Sequence, residues 1–233
     1  MKASANDVSS QGESGLILRR LENSVCSSNT YVLCPPDGGG AWVIDPGDAA
    51  PVVECLRELD RELVGILVTH SHHDHIYGID ELQAAFPSAK VHAADASVAG
   101  LFSEKLNMSR YFLRPYVLKL QHVVRLGEGS RIPFMPGADI IVVETPGHHP
   151  GAVCFAVSGL LFTGDALLPG THITTVLPGG DRAAARRSVE KLLATFGPET
   201  WIHPGHGEGC RLGAVDLEKQ FRRTGAKKGL GGS

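Results

Sequence analysis

The segment Thr69-His70-Ser71-His72-His73-Asp74-His75 constrains this chain more than any other, because it sets histidines and a carboxylate in an H-x-H-x-D-H frame. It follows directly on Leu63-Val64-Gly65-Ile66-Leu67-Val68, an apolar run of the length expected for a buried strand. Where such a strand ends, the chain leaves the sheet and side chains in the following turn are free to converge on one point. Neutral imidazole and carboxylate are ligands of borderline divalent metals, so their density here points to coordination. A fold that buries the run up to residue 68 brings this turn to the end of a strand.

Three later turns place one metal-competent residue in the same context. Thr145-Pro146-Gly147-His148-His149-Pro150-Gly151 ends the apolar run Ile140 to Glu144, and its Pro and Gly force a tight turn that aims a histidine inward. Phe162-Thr163-Gly164-Asp165-Ala166 presents a carboxylate after a strand, with a glycine that allows close backbone approach. His203-Pro204-Gly205-His206-Gly207 is the third. Singly each is a weak signal, but following the first motif in this order they form a strong one. Seven inward ligands exceed the four of a closed structural zinc site, and two ions sharing one carboxylate accommodate the excess. A water between two such ions is expected to have its pKa lowered from about 15.7 towards 7, which makes a hydroxide nucleophile without any Ser or Cys.

The rest of the chain reads as one domain around these turns. Its 233 residues allow a full hydrophobic core, and 42% hydrophobic with 20% charged residues is an ordinary globular composition. Strands are predicted over Leu16 to Leu21, Asn29 to Leu33 and Ala41 to Asp45. A helix follows from Ala49 to Leu63 with Asp48 as its N-cap, then the strand from Leu63 to Val68, a helix over Ile79 to Phe86 and a strand over Lys90 to Ala93. Asp95 to Leu120 is the least regular stretch, of mixed helical character, a long connection that either covers a binding site or packs at the surface. Strands return at Gln121 to Leu126, Ile132 to Met135, Ile140 to Glu144, Val153 to Val157 and Leu160 to Thr163, the last two joined by a Ser158-Gly159 hairpin turn. A Gly/Pro-rich loop over Leu168 to Gly180, a helix over Asp181 to Phe196, a short strand at Thr200 to Ile202 and a helix from Ala214 to Arg223 complete the chain. Strands, helix, strands and helix occur twice, which predicts two sheets face to face with helices outside. Residues 1–14 read as a polar leader, 15–225 as the single domain, and 226–233 as a flexible tail or cloning scar.

The four motifs, spanning most of the chain from Leu16 to about Arg211, resemble the metallo-β-lactamase superfamily, and within it the glyoxalase II-like hydrolases. The resemblance implies an α/β fold, the αββα sandwich of two mixed sheets with helices on the outer faces, and two metal ions at one edge. By motif match the first ion takes His70, His72 and His148, the second takes Asp74, His75 and His206, and Asp165 bridges. Zinc is the first expectation for both ions, with iron or manganese also suited to such ligands. The implied activity is cleavage of a small acyl thioester or ester by the bridging hydroxide, with Asp165 holding both ions and Asp74 able to relay a proton. His149, His172 and Tyr111 are the candidates for touching substrate, and His73 is expected to face away from the metals.

Other functions are set against this one. The net charge of −3 gives no basic face for a nucleic-acid backbone, and only 40 residues separate Asp165 from His206, too few for the inserted domain of the nucleic-acid-cutting relatives. The single basic cluster, Arg222, Arg223, Lys227 and Lys228, reads as a solvated terminus. Five cysteines without C-x-x-C spacing suit reduced thiols, with Cys154 in the core, and neither a signal segment nor a membrane span is read. The expectation is a cytoplasmic enzyme with a small-molecule substrate, no nucleic-acid or membrane partner, and an undetermined oligomeric state. The segment Leu106-Asn107-Met108-Ser109 resembles the Asn-Leu-Ser segment of single-domain bacterial hydrolases and favours thioesters. A glutathione carrier is not specified, because the loop after the bridging aspartate reads Leu168-Pro169-Gly170-Thr171-His172 where relatives offer a cation, and a C-terminal helical domain is not expected after His206. A lactonase and an iron-dependent glutathione-persulfide dioxygenase remain as alternatives.

Overall fold

In the computed structural model, which describes residues 15–112, 114–119 and 122–221, twelve strands and five helices alternate as two halves of one sandwich. The first sheet has the order β1-β2-β3-β4-β5-β6: β1 (Ile17–Glu22), β2 (Asn29–Cys34), β3 (Ala41–Ile44), β4 (Leu63–Val68), β5 (Lys90–Ala94) and β6 (Val124–Leu126). The second has the order β12-β11-β10-β9-β8-β7: β7 (Arg131–Met135), β8 (Ala138–Glu144), β9 (Val153–Val157), β10 (Leu160–Gly164), β11 (Trp201–Pro204) and β12 (Cys210–Arg211). Strands β3, β4, β5 and β6 pair in parallel, as do β10 and β11. Parallel neighbours need a crossover, and α1 (Ala49–Glu58), α2 (Ile79–Ala85), α3 (Asp95–Leu101) and α4 (Arg182–Thr195) lie in those connections.

Side-chain alternation along the strands builds three apolar layers. Val32, Val43, Ile66, Val68 and Val91 face outward from the first sheet and pack with Val52, Leu56, Ile79 and Leu82 of α1 and α2. Their neighbours Tyr31, Leu33, Ile44 and Leu67 face inward against Val153, Phe155, Val157, Leu160 and Phe162 of the second sheet. The remaining face of that sheet, including Cys154, Ala156 and Leu161, packs on Ala185, Val189 and Leu192 of α4. Helix, sheet, sheet and helix are thus the expected αββα layers, with Cys154 in the core as expected.

The boundaries differ from expectation where one residue was asked to serve two elements. Leu63 is paired with Ala41 in the sheet, so α1 stops at Glu58 and the chain turns through Asp60 at φ +52°. Asp48 precedes α1, but its carboxylate accepts from Ser24 N at 2.6 Å and Ser24 Oγ at 3.0 Å and does not cap the helix. Within the stretch of mixed helical character, Asp95–Leu101 form α3, burying Val98 and Leu101 three apart on one face. The helix expected from Ala214 shrinks to α5 (Leu217–Gln220), because Leu212–Ala214 forms a single 3₁₀ turn and the Asp216 side chain caps Glu218 N and Lys219 N. The expected leader over 1–14, the tail over 226–233, the end of that helix and the basic terminal cluster lie outside the described residues. Among the described residues no helix is long and apolar enough to cross a membrane.

Leu67 is fully buried between the sheets, one strand residue before the metal-motif turn. Leu67→Ala is expected to cost about 2–5 kcal/mol of stability, read as a lowered urea midpoint with an unchanged m-value.

Candidate metal centre

All four motif turns emerge at the same edge of the sandwich, and specific contacts hold each in place. The turn after β4 closes with one 3₁₀ turn over His73–His75 and leaves His70, His72, Asp74 and His75 buried. The turn after β8 lies flush against α4: a Cβ on Gly147, which sits at φ +147°, would stand 2.2 Å from Ala185 N, and Ser188 Oγ donates to Pro146 O at 2.7 Å. The turn after β11 is tied to the first sheet, since Gly205 O accepts from Asn29 N at 2.7 Å and Pro204 O accepts from Tyr31 OH at 2.7 Å. Gly205 also keeps the centre open, because a Cβ there would lie 2.2 Å from Asp165 Oδ1.

The seven residues named from the motifs meet at this edge. Ligand atoms of His70, His72 and His148 all lie within 4.8 Å of one another, and so do those of Asp74, His75 and His206. In the first group His72 Nδ1 stands 3.1 Å from His70 Nε2 and 2.9 Å from His148 Nε2. In the second, Asp74 Oδ2 is 3.5 Å from His75 Nε2 and 3.3 Å from His206 Nε2. Asp165 touches both groups: its Oδ2 is 3.5 Å from His148 Nε2 and 3.5 Å from His206 Nε2, and its Oδ1 is 3.7 Å from His75 Nε2.

The outer nitrogens of four of these histidines are engaged, which turns the opposite nitrogen inward. Carbonyls only accept, so His148 Nδ1 donates to Thr174 O at 2.7 Å and His206 Nδ1 donates to Cys26 O at 3.1 Å. The other two histidines are held by Asp45, a buried carboxylate absent from the sequence-based candidates. Asp45 Oδ2 lies 3.1 Å from His75 Nδ1 and accepts from Thr69 Oγ1 at 2.6 Å, while Oδ1 accepts from Thr69 N at 2.7 Å. The Thr69 hydroxyl, having given its proton to Asp45, accepts from His70 Nδ1 at 3.1 Å. Carboxylate or carbonyl partners on the far nitrogen are what metal-ligating histidines carry. A signal for Asp45 was present: Ile44-Asp45-Pro46-Gly47 is a carboxylate at a strand end before a Pro-Gly turn, the context that singled out Asp165.

The donor set fits divalent metal. His75 Nε2 and Asp165 Oδ1 are buried and find no hydrogen-bond partner, although they face one another across the centre. Burial and the neighbouring histidines push the His70 imidazole well down, and burial pushes His72 down to about 2, so both present lone pairs at neutral pH. Burial also opposes charge on His75, but the carboxylates of Asp74, Asp45 and Asp165 outweigh it and raise that imidazole to about 10. Burial likewise acts to raise Asp74, but His75 and His206 reverse it and hold the carboxyl well below its usual range. The metal-free centre therefore keeps a proton at His75 where an ion would sit.

The remaining candidates lie at different depths. His149 is buried behind the ligands, where it accepts from Gly151 N through Nδ1 at 3.0 Å and faces Ser71 Oγ through Nε2 at 3.0 Å. Both nitrogens are used in bracing two turns together. His172 is exposed in the loop whose Thr174 carbonyl holds His148. Tyr111 is 62% exposed at the end of a 3₁₀ turn. His73 packs its ring 4.0 Å from Phe112 and 5.3 Å from Tyr77, with Nδ1 3.9 Å from Asp74 Oδ1.

Asp45→Asn removes the charge that holds His75 and one of the two acceptor oxygens that orient Thr69. Zinc affinity, measured by chelator competition, is expected to fall about 10–100-fold with the fold retained. For the unsubstituted protein, metal loading must displace the His75 proton. Calorimetry at pH 7 in buffers of different ionisation enthalpy is expected to show release of about one proton or more per protein, with affinity rising as pH approaches 10.

Comparison with known proteins places the centre in a family. The metallo-beta-lactamase superfamily model matches residues 23–206, which contain all seven residues named from the motifs. The chain is 36% identical over 174 residues to the hydroxyacylglutathione hydrolase of Hahella chejuensis, an alignment covering 73% of this chain and 58% of that enzyme. It thus spans little more than half of that relative's length. Among solved structures, the BLEG-1 B3 metallo-beta-lactamase superposes with a TM-score of 0.79 at 28% identity, covering 85% of this chain and 95% of that one. TTHA1623 in a di-iron-bound form superposes with a TM-score of 0.74 at 30% identity, covering 84% and 95%. With these four turns on this sandwich, the chain belongs to the metallo-beta-lactamase superfamily.

Proposed function

We propose that this chain is a two-metal hydrolase that cleaves small acyl thioesters or esters. The observation that carries the reading is Asp165, whose carboxylate lies between two separate ligand groups and within 3.7 Å of members of both. The dioxygenase alternative would use one iron among the same gathered residues, so the reaction itself separates the two. Two divalent ions held there, zinc or iron or manganese, supply Lewis acidity and bring a water's pKa from about 15.7 towards 7.

The chain's own residues supply the rest. Asp165 fixes the separation of the two ligand groups, and the Asp45 and Thr69 relay keeps His70 and His75 aimed at them. Asp74 stays ionised and buried, so it accepts a hydrogen bond from the attacking water and sets the face from which oxygen reaches the carbonyl. Water adds its oxygen to the acyl carbon, the carbon–sulfur or carbon–oxygen bond breaks, and the water proton leaves with the thiol or alcohol. The similarity to hydroxyacylglutathione hydrolases supports thioesters. The loop over residues 168–180 contains no Lys or Arg to meet glutathione carboxylates, so the reading commits to the acyl transfer to water and not to that carrier.

The test is free-thiol release from S-lactoylglutathione and simpler thioesters by zinc-loaded protein. A kcat/KM of about 10⁴ M⁻¹s⁻¹ or more on one of them is expected, abolished by chelation and restored by metal. Asp165→Asn is expected to lose turnover while its circular dichroism is unchanged; an active Asp165→Asn protein removes the bridging role. Oxygen uptake with glutathione persulfide, in place of thiol release, would move the assignment to the dioxygenase.

A further inference from the structure

A cleft of about 540 Å³ lies beside the metal-motif turn, and none of the seven proposed ligands lines it. That volume is within the range of about 300–1,000 Å³ that small-molecule sites occupy. Its walls are Val25 from the β1–β2 loop, Ala49, Ala50 and Pro51 at the start of α1, and the rings of Tyr77 and Phe112.

Three contacts place the cleft next to the centre. Phe112 packs at 4.0 Å on the ring of His73, the residue before Asp74. Gly47, in the floor, lies so close to the Asp74 backbone that a Cβ there would stand 2.4 Å from Asp74 O. The loop that carries Val25 also carries Cys26, whose carbonyl holds His206. Cleft and centre are therefore separated by the backbone of a single turn.

The lining also states what the cleft can take. Ser24 and Asp48, its polar members near Val25, hydrogen-bond to each other and offer little to a ligand. Of the formal charges around it, Asp48 and Glu81 outnumber the single cation, Arg114, so a carrier with two carboxylates meets net repulsion. Apolar walls and unfavourable anion electrostatics leave an extended uncharged chain as the fitting occupant.

We propose that this cleft binds the uncharged apolar arm of the substrate, on its acyl or its thiol side, and sets chain-length specificity. The proposal rests on the hydrolase reading of the neighbouring centre and assigns its substrate class. Exposed Phe112 and Ala50 become specificity residues.

Two thioester series test it on the metal-loaded full chain: acyl groups of two to eight carbons on N-acetylcysteamine, and acetyl on alkanethiols of increasing length. One series is expected to gain about three- to fourfold in kcat/KM per methylene until the cleft is filled, and which series does so identifies the arm. Ala50→Trp, which narrows the cleft away from every proposed ligand, is expected to raise KM for long chains and leave kcat on the shortest substrate unchanged. Flat profiles in both series, with long-chain KM unaffected by Ala50→Trp, overturn the proposal. Calorimetric binding of S-hexyl-N-acetylcysteamine, a thioether that cannot be hydrolysed, separates the two readings. If no thioester is cleaved but this thioether binds and Ala50→Trp abolishes binding, the cleft stands and the hydrolase reading falls; if thioesters are cleaved but the thioether does not bind, the cleft assignment falls.

Discussion

The buried Asp45 carboxylate is the interaction on which the centre depends. At the end of β3, with its backbone at φ +52°, it turns back across the sheet and accepts from both the amide and the hydroxyl of Thr69 at the end of β4. Two adjacent parallel strands are thereby locked at their tips, where sheet hydrogen bonding has stopped. The same carboxylate fixes His75 directly and His70 through Thr69, so one negative charge orients a ligand in each group. A charge buried to this depth is costly unless fully engaged, and here its neighbours supply the engagement.

Charge in the centre is divided unequally. The group of His70, His72 and His148 contains only imidazoles, two of which burial holds neutral. The group of Asp74, His75 and His206 concentrates carboxylate charge and keeps a proton on His75. The orphaned His75 Nε2 and Asp165 Oδ1 mark the boundary between them, which is also where Asp165 spans the two.

The sandwich contributes by exporting four turns to one edge from two different sheets. The first sheet supplies the H-x-H-x-D-H turn and the β1–β2 loop; the second supplies His148, Asp165 and His206. Contacts across the sheets, such as Val153 N to Thr69 O at 2.9 Å and Asn29 N to Gly205 O at 2.7 Å, keep the halves in register. Chemistry is thus placed where backbone is irregular while the three apolar layers beneath it stay regular.

Much of this was legible in local sequence because period-two alternation, strand-ending turns and histidine spacing are local signals. They delimit β4, β9 and β10, the layered sandwich and the seven strand-end residues that the structure gathers. What lay outside their reach was non-local. Asp45 acquires its role from Thr69 and His75, 24 and 30 residues away, and His149 is drawn inward by Ser71, 78 residues away. Helix α1 ended early because sheet pairing claimed Leu63, and in the stretch of mixed helical character Asp95–Leu101 became the helix because its apolar residues had a core to meet. The sequence by itself determined which side chains have metal-binding chemistry and which strands end beside them. Only the tertiary structure decided what holds them from behind and which cleft adjoins them, because each of those depends on residues that folding alone brings within hydrogen-bond or van der Waals distance.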